Sequence, residues 1–166
     1  MSFKKQIPNL ITFLNLICGL LALIHAFNGN YNEAFSLVCL GIFFDFWDGF
    51  FARIFNAQSA LGVQLDSLAD MVTSGVVPGV VMYKMLSDIQ ENQEIYTLTS
   101  DTYYMAVVPY IGFIITIASC YRLAKFNIDD RQTDSFIGLP TPANALLIMS
   151  IPMILFANQF DWLSAI

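Results

Sequence analysis

The chain has 166 residues, a hydrophobic share of 57%, a charged share of 12% and a mean hydropathy of +0.62. A soluble domain carries about 25% charged residues, so this composition excludes a soluble globular protein and indicates a polytopic membrane protein. The formal net charge is -6 at pH 7, but most acidic residues lie in one motif and two polar connections, so the charge indicates no particular partner. The sequence contains no nucleic-acid-binding motif, and no nucleic-acid partner is expected.

Five apolar segments are predicted to form the membrane helices of an all-α bundle. The first covers residues 8–28, follows a polar start with Lys4 and Lys5, and is long enough to cross a hydrocarbon core of about 30 Å. It is longer than the apolar run of a signal peptide and lacks a small-residue cleavage site, so we expect it to be retained. The later segments are predicted at residues 33–55, 62–86, 102–126 and 143–156, with a kink at Pro78 in the third.

The cations are distributed asymmetrically about these helices. The side predicted to carry most of them has Lys4, Lys5, Arg53, Arg122, Lys125 and Arg131. Only Lys84 is predicted on the other side, where its long side chain can reach the interface. Because cytoplasmic loops carry the excess of lysine and arginine, the pattern predicts that the cation-rich side is cytoplasmic.

Four aspartates stand at regular spacing in the second and third segments, in the pattern D-x2-D-G-x2-A-R-x8-G-x3-D-x3-D over residues 45–70. On helices with about 3.6 residues per turn, Asp45 and Asp48 share one stripe, and Asp66 and Asp70 share another. The intervening residues 55–61 suffice for a short turn between antiparallel helices. The four carboxylates are therefore predicted to converge on one small volume.

Carboxylates that converge inside a membrane require a neutralising group, because each costs about 2.5 to 3.5 kcal/mol on insertion scales. The motif contains no Cys or His, so its ligands are all oxygen atoms, which favours Mg²⁺, Mn²⁺ or Ca²⁺ over zinc. Two such ions about 3.5 to 4 Å apart would clamp the oxygens of a transferring phosphoryl group. The motif therefore predicts a metal-dependent phosphoryl-transfer site.

Small residues share the helix stripes of the acids. Gly49, Ala52 and Gly62 would let a nucleotide or diphosphate approach the backbone closely. The alternative for these residues is tight packing between membrane helices. Arg53 can pair with a phosphate or a motif carboxylate, or it can anchor its helix at the interface.

Eight positions of the motif match, without departure, the signature of the CDP-alcohol phosphotransferase family: Asp45, Asp48, Gly49, Ala52, Arg53, Gly62, Asp66 and Asp70. The family consists of integral membrane enzymes that transfer a phosphatidyl or similar group from a CDP-linked donor to an alcohol and release CMP. The resemblance implies two Mg²⁺ or Mn²⁺ ions, with Asp45, Asp48, Asp66 and Asp70 as ligands and a diphosphate between the ions.

The same resemblance implies a single membrane domain over residues 1–166 and a homodimer. Members of the family typically have six membrane helices, whereas this sequence shows five and only the start of a sixth. Either the chain is truncated or the last helix is absent.

Two further stretches narrow the resemblance. PNLIT at residues 8–12 is similar to the start of many of these enzymes, in which the Asn lies near the nucleotide. Without the motif it would be interpreted as a helix start, since Pro suits a first turn. The nucleotide or diphosphate site implied in this way comprises Asn9, Thr12, Asp45, Gly49, Ala52, Arg53 and Gly62. Residues 122–145, RLAKFNIDDRQTDSFIGLPTPANA, resemble the bacterial phosphatidylserine synthase branch of the family.

That branch implies the membrane lipid CDP-diacylglycerol as donor and L-serine as acceptor, at the cytoplasmic face of a bacterial inner membrane. Asp70 would accept the proton of the serine hydroxyl, and Arg122 and Lys125 would hold serine or a phosphate. For these two cations, positive-inside topology alone is the alternative. The other hypotheses are a different family member, such as phosphatidylglycerophosphate synthase, and a cation transporter with intramembrane carboxylates. Release of CMP distinguishes the enzymes from the transporter.

Overall fold

Every regular element that the structure describes is helical. The computed structural model describes residues 6–92, 107–128 and 138–157, without the side chains of residues 90–92 and 156–157. The α-helices in these ranges are α1 (Ile7–Phe27), α2 (Tyr31–Ile54), α3 (Ala60–Asp70), α4 (Val77–Asn92), α5 (Gly112–Ile128) and α6 (Thr141–Ala157). A π-helical turn, Met71–Val76, joins α3 to α4, and a 3₁₀ turn, Val108–Ile111, precedes α5. The prediction of an all-α protein is confirmed for this part of the chain.

Four helical stretches within the described ranges are long and apolar enough to cross a membrane: Ile7–Phe27, Tyr31–Ile54, Ala60–Ile89 and Val108–Ile128. They correspond to the first four predicted segments, although the predicted start of the fourth, at residue 102, lies outside the described residues. The predicted fifth span corresponds to α6, an apolar helix of 17 residues that is shorter than these four. Five spans are therefore not confirmed, and the start of the predicted sixth, after residue 157, lies outside the described residues.

Local sequence features set the boundaries of the first three helices. Pro8 lies in the first turn of α1, where a residue without an N–H group is tolerated. Gly29, between α1 and α2, has a φ of 75°, a left-handed conformation that favours glycine. Ser59 caps α3, because its hydroxyl oxygen accepts a hydrogen bond of 3.0 Å from the backbone N–H of Gly62. These short connections bring the end of α2 and the start of α3 next to the start of α1.

The third span is irregular just before Pro78. A proline in a regular α-helix donates no hydrogen bond, and its ring collides with the carbonyl four residues earlier. The π turn Met71–Val76 lies directly before this region, and π turns are frequent at functional sites. The sequence predicted a kink at Pro78. The structure has a π turn that begins immediately after Asp70 and ends two residues before Pro78.

The third span lies at the centre of the described bundle. Its parts pack against α1, α2, α5 and α6. In the most apolar 18 residues of the third span, 50% of the residues are buried. The corresponding share in Val108–Ile128 is 11%, so this helix lies at the periphery of the bundle. The apolar core lies along α4 and includes Val77, Val81 and Met85, together with small residues of α1 and α2 such as Ala22. Large apolar side chains face outward, as expected for a lipid-facing surface.

The two ends of the bundle carry different polar groups. Asp48 lies near the end of α2, and Tyr31 begins the same helix about 25 Å away, at 1.5 Å per residue. The hydroxyl of Tyr31 donates a hydrogen bond of 2.8 Å to Asp88 near the end of α4, and Lys84 pairs with Asp88 at 2.6 Å. We call Tyr31, Lys84 and Asp88 the far-end cluster, and the end that carries Asp48 the site end.

Candidate active site

Three carboxylates of the motif meet between α2 and α3. Asp45 and Asp48 are three residues apart on α2 and therefore project from one face, and Asp66 projects from α3. One ligand oxygen of each lies within 4.8 Å of the others. α1 packs directly against α2 and α3, whereas the backbones of α2 and α3 make few close contacts with each other. The carboxylates therefore occupy a gap between the two helices.

The fourth carboxylate, Asp70, lies one helical turn beyond Asp66. Its carboxyl group interacts directly with that of Asp45, but it is not part of the group whose oxygens lie within 4.8 Å of one another. Asp70 Oδ1 accepts a hydrogen bond of 3.3 Å from the side-chain amide of Asn15 on α1. We call Asp45, Asp48 and Asp66 the acid cluster, with Asp70 beside it.

The acid cluster fits a divalent cation with a preference for oxygen ligands. In the part of the chain that the structure describes, no lysine, arginine or histidine forms an ion pair with any of the four aspartates. Asp66 Oδ1 is buried and has no hydrogen-bond partner there. A buried carboxylate without a counter-charge and without a hydrogen-bond donor is strongly unfavourable. A hard cation would supply the counter-charge and coordinate the unpartnered oxygen. The donor set suits Mg²⁺ or Mn²⁺, and the number and identity of the ions remain predictions.

A cavity of about 590 Å³ opens beside the acid cluster, with Asp48 and Asp66 in its wall. The start of α1, the end of α2 and the start of α3 surround it. Apart from Asp45, all the residues predicted to bind the nucleotide or diphosphate line this cavity: Asn9, Thr12, Gly49, Ala52, Arg53 and Gly62. The structure therefore brings this predicted set together, while their binding role stays a prediction.

The glycines of the motif differ in what surrounds them. A Cβ atom added at Gly49 would meet no atom within 4 Å, so this glycine faces open space rather than another helix. A Cβ atom at Gly62 would lie 3.2 Å from the Ser59 hydroxyl and 3.4 Å from Asn9 Oδ1. Helix packing therefore does not explain Gly49, and at Gly62 a side chain would crowd the cavity wall.

Thr12 and Arg53, two of the residues predicted to bind the nucleotide, differ in their contacts. The hydroxyl of Thr12 is buried and donates to Asp48 Oδ2, so it orients an acid of the cluster. Arg53 is exposed at the cavity and forms no ion pair with a motif carboxylate within the described residues. Its pairing with a phosphate and its role as an interfacial anchor both remain open.

Arg122 and Lys125 do not line the cavity. Arg122 Nη1 donates a hydrogen bond of 2.7 Å to the hydroxyl of Thr141, which connects α5 to the start of α6. Lys125 is exposed. The end of α5 nevertheless lies at the site end, because Asn127 Nδ2 donates a hydrogen bond of 2.9 Å to Ser67, the neighbour of Asp66.

Sequence reasoning missed four residues near the site. Gln58 and Ser59 line the cavity, and Asn15 and Thr73 lie next to Asp70. A signal for Asn15 was present, since Asn9, Thr12 and Asn15 recur every three residues in an otherwise apolar helix and share one face. No comparable spacing marks Thr73, which lies in the π turn.

Comparisons with known proteins match the chain to one family. A sequence model of the family described as CDP-alcohol phosphatidyltransferase matches residues 5–166. A Bacillus subtilis protein named CDP-diacylglycerol--serine O-phosphatidyltransferase is 39% identical over 142 residues, which cover 83% of this chain and 70% of that protein. A Methanocaldococcus jannaschii protein of the same name is 35% identical over 143 residues, covering 86% of this chain and 58% of that protein.

A third relative is the archaetidylserine synthase of Methanothermobacter thermautotrophicus, 28% identical over 157 residues that cover 93% of this chain and 61% of that protein. The chain thus spans about three fifths of the length of the two archaeal relatives and more of the Bacillus protein. No solved structure gives a significant match. With the acid cluster, the adjoining cavity and a family match over almost the whole sequence, the chain belongs to the CDP-alcohol phosphatidyltransferase family.

Proposed function

We propose that this protein is a transferase of phospholipid biosynthesis that moves the phosphatidyl group of CDP-diacylglycerol to the hydroxyl of L-serine, giving phosphatidylserine and CMP. The observation that carries the proposal is the acid cluster beside a cavity of about 590 Å³ whose wall includes Asp48 and Asp66. The relatives named as serine phosphatidyltransferases support serine over other alcohols as the acceptor.

Asp45, Asp48, Asp66 and Asp70 are the proposed ligands of two Mg²⁺ or Mn²⁺ ions. When bound, such ions would offset the negative charge of the diphosphate and polarise its oxygens. The unpartnered Oδ1 of Asp66 and the absence of a basic partner for the four aspartates within the described residues support this role. Thr12, which donates to Asp48, would hold that carboxylate in a fixed orientation.

The cavity is the proposed site of the cytidine nucleotide and its diphosphate. Asn9 and Thr12 line it from α1, and Gly49, Ala52, Arg53 and Gly62 complete the set carried over from the resemblance. The open space at Gly49 supports a close approach of the ligand to the α2 backbone. Arg53 offers planar guanidinium donors that match phosphate oxygens.

Asp70 is the proposed general base. The serine hydroxyl oxygen attacks the phosphorus that carries diacylglycerol, and its proton passes to a carboxylate oxygen of Asp70. The bond between that phosphorus and the bridging oxygen breaks, and CMP leaves with the electron pair. No covalent intermediate with the protein is required. The position of Asp70 one helical turn beyond Asp66 supports the assignment, because it adds a further carboxylate beside the acid cluster.

Arg122 and Lys125 are the proposed contacts for the serine carboxylate or for a phosphate. Serine has a carboxylate that glycerol and inositol lack, so a cation at the site end would select it. The contact between Asn127 and Ser67 supports a position of the end of α5 close to the acid-bearing helix α3.

We also propose that residues 1–166 form one domain, that α6 crosses the membrane as a fifth span, and that the protein is a homodimer of a bacterial inner membrane with the site facing the cytoplasm. The cation asymmetry supports this orientation. In a background without native cysteines, an impermeant thiol reagent applied to intact cells should label an Asn92→Cys variant but not a Gln132→Cys variant. The opposite labelling pattern would refute the orientation.

The substrate assignment is tested with the purified full chain and CDP-diacylglycerol, given serine, glycerol 3-phosphate or inositol in turn. We expect CMP release and a phosphatidylserine product with serine alone. Phosphatidylglycerophosphate as the product would identify a different member of the family. No CMP release with any alcohol, together with cation flux in vesicles, would identify a transporter.

A further inference from the structure

Asn15 on α1 and Thr73 in the π turn form a buried hydrogen-bonded pair beside Asp70. Both side chains have 0% exposure. The hydroxyl of Thr73 donates to Asn15 Oδ1 at 2.9 Å, and Asn15 Nδ2 donates to Asp70 Oδ1 at 3.3 Å. Neither residue lines the cavity, so neither is placed to touch a ligand there. The chain of donors runs from Thr73 through Asn15 to the carboxylate.

The ionised carboxylate of Asp70 selects the amide nitrogen of Asn15, and the hydroxyl of Thr73 holds the other end of the amide. An asparagine amide has an acceptor oxygen and a donor nitrogen, and the two ends are exchanged by a half-turn of the side chain. A carboxylate only accepts hydrogen bonds when ionised, so the amide nitrogen must face Asp70. A hydroxyl that donates to the amide oxygen stabilises this orientation. Without the hydroxyl, the buried amide oxygen loses its side-chain donor, and the bond of 3.3 Å to Asp70 alone holds the amide.

Two glycines make room for the pair. A Cβ atom at Gly41 on α2 would lie 2.8 Å from Thr73 Cγ2 and 2.9 Å from Asn15 Oδ1. A Cβ atom at Gly19 on α1 would lie 2.6 Å from the Thr73 hydroxyl oxygen. Real Cβ atoms do not approach so closely. The pair is therefore enclosed by three helical elements, which restricts its movement.

We propose that Asn15 and Thr73 are positioning residues of the transfer reaction. Thr73 fixes the amide of Asn15, and Asn15 holds one oxygen of Asp70 so that the other is directed at the acceptor hydroxyl. This proposal rests on the proposed function, in which Asp70 is the general base. A purely structural role, in which the pair only joins membrane helices, is the competing explanation.

The main test compares Thr73→Val, which removes the hydroxyl at nearly constant volume, with Thr73→Ser, which keeps it. We expect Thr73→Val to lower kcat about 10- to 100-fold, because misplacement of a catalytic group by 1 Å costs about 100-fold. The KM for CDP-diacylglycerol should change by less than about twofold, since the nucleotide cavity is untouched. Thr73→Ser should restore most of kcat.

Thr116→Val is the matched control. The hydroxyl of Thr116 on α5 donates to the carbonyl of Gly75 at 3.0 Å, so this substitution also removes a threonine hydroxyl that bonds to the third span. We expect its kcat to stay within about twofold of the wild type, because Thr116 has no contact with Asp70. Thermal unfolding of all variants in detergent shows whether stability alone separates them.

A second readout is the binding of Mn²⁺ to the full chain, followed by the Mn²⁺ electron paramagnetic resonance signal without substrate. We expect Thr73→Val and Asn15→Leu to bind Mn²⁺ with wild-type affinity, since the acid cluster is intact. Substitution of a residue that hydrogen-bonds to a metal ligand typically lowers the metal affinity 10- to about 100-fold. Such a loss would show that the pair acts on Asp70 as a metal ligand and not as the base, and it would overturn the proposal.

A double-mutant cycle isolates the action through Asp70. If Thr73 acts only through Asp70, Thr73→Val should slow the Asp70→Asn protein no further. Additive losses, or wild-type kcat in Thr73→Val, would overturn the proposal while leaving the proposed function in place. A wild-type rate for Asp70→Asn would overturn the base assignment and this proposal, and a wild-type protein that releases no CMP would overturn the proposed function as well.

Discussion

Carboxylates lie at both ends of the bundle, and the two ends neutralise them by different means. In the far-end cluster, Asp88 pairs with Lys84 at 2.6 Å and accepts a hydrogen bond from Tyr31 at 2.8 Å. The acid cluster brings its carboxylate oxygens within 4.8 Å of one another, and no basic side chain pairs with them in the described part of the chain. Within the described residues, the far-end cluster contains its own counter-charge, whereas the acid cluster has none.

The difference separates structure from chemistry. A carboxylate that is paired and hydrogen-bonded within the chain joins helices and leaves no free ligand position. Carboxylates held together without a cation repel one another, so the fold retains them only if something external compensates the repulsion. The acid cluster is of this second kind, because it adjoins a cavity and because Asp66 Oδ1 has no hydrogen-bond partner among the described residues. The acid cluster is therefore expected to respond to metal ions, and the far-end cluster is not.

The largest difference between the two ends is expected from removal of the metal ligands. Asp45→Asn and Asp66→Asn should lower kcat by more than about 10³-fold, because they remove several kcal/mol of charge stabilisation supplied through the ions. EDTA should abolish activity, and Mg²⁺ or Mn²⁺ should restore it. The measurement is CMP release by the purified protein.

Asp88→Asn is the matched control, since it removes the same charge from the other end of the third span. It should leave the metal requirement and the activity of the folded protein unchanged. Full activity of the EDTA-treated wild type would contradict the two-ion hypothesis.

A somewhat smaller effect is expected at Asp70. Asp70→Asn should lower kcat by about 10² to 10⁴-fold, the usual contribution of a general base, and the donor KM should change little. The reason is that the amide cannot accept the serine proton, while the three carboxylates of the acid cluster remain to hold the ions. Steady-state kinetics with varied CDP-diacylglycerol and serine measure both effects. Turnover near the wild-type rate would remove Asp70 from the base role.

Much of this site could be predicted because membranes restrict local structure. Spanning segments must be helices, so the spacing of Asp45 and Asp48 already determines that they share a face. The short connection after α2 brings Asp66 to the same end of the bundle. Four carboxylates were predicted to converge, and the structure groups three of them, Asp45, Asp48 and Asp66, with Asp70 beside the group. Six of the residues predicted to bind the nucleotide line one cavity.

What the sequence did not predict depends on how distant helices cross. The contact between Asn15 and Thr73 joins residues 58 positions apart, across α1 and a π turn that changes the helical phase. Gly41 lies one helical turn before Asp45 and Gly49 directly follows Asp48 on α2, yet Gly41 packs against Thr73 and Gly49 faces open space. Both are glycines near aspartates on one helix, so the sequence does not separate them, and only the packing around each glycine does.

The far-end cluster should affect stability and not chemistry. Lys84→Met should lower the free energy of unfolding by about 1 to 3 kcal/mol, between the values for exposed and buried pairs, because the side chains of Lys84 and Asp88 are 29% and 23% exposed. The specific activity of the remaining folded protein should stay within about twofold of wild type. Thermal unfolding in detergent, followed alongside CMP release, measures both quantities. A large loss of kcat without a loss of stability would show that the two ends are coupled.

The smallest effect is expected at Arg122, which lies at the site end but outside the cavity. Its guanidinium donates to Thr141 at 2.7 Å and has further N–H groups that a serine carboxylate could accept from. Arg122→Lys keeps the charge but loses the planar fork, so the serine KM should rise by about fivefold, or about 1 kcal/mol, and the donor KM by less. Lys84→Arg, which also exchanges one cation for the other but in the far-end cluster, is the control. If the donor KM rises alone, Arg122 contacts phosphate, and if neither KM changes, its bond to Thr141 serves only to join α5 to α6.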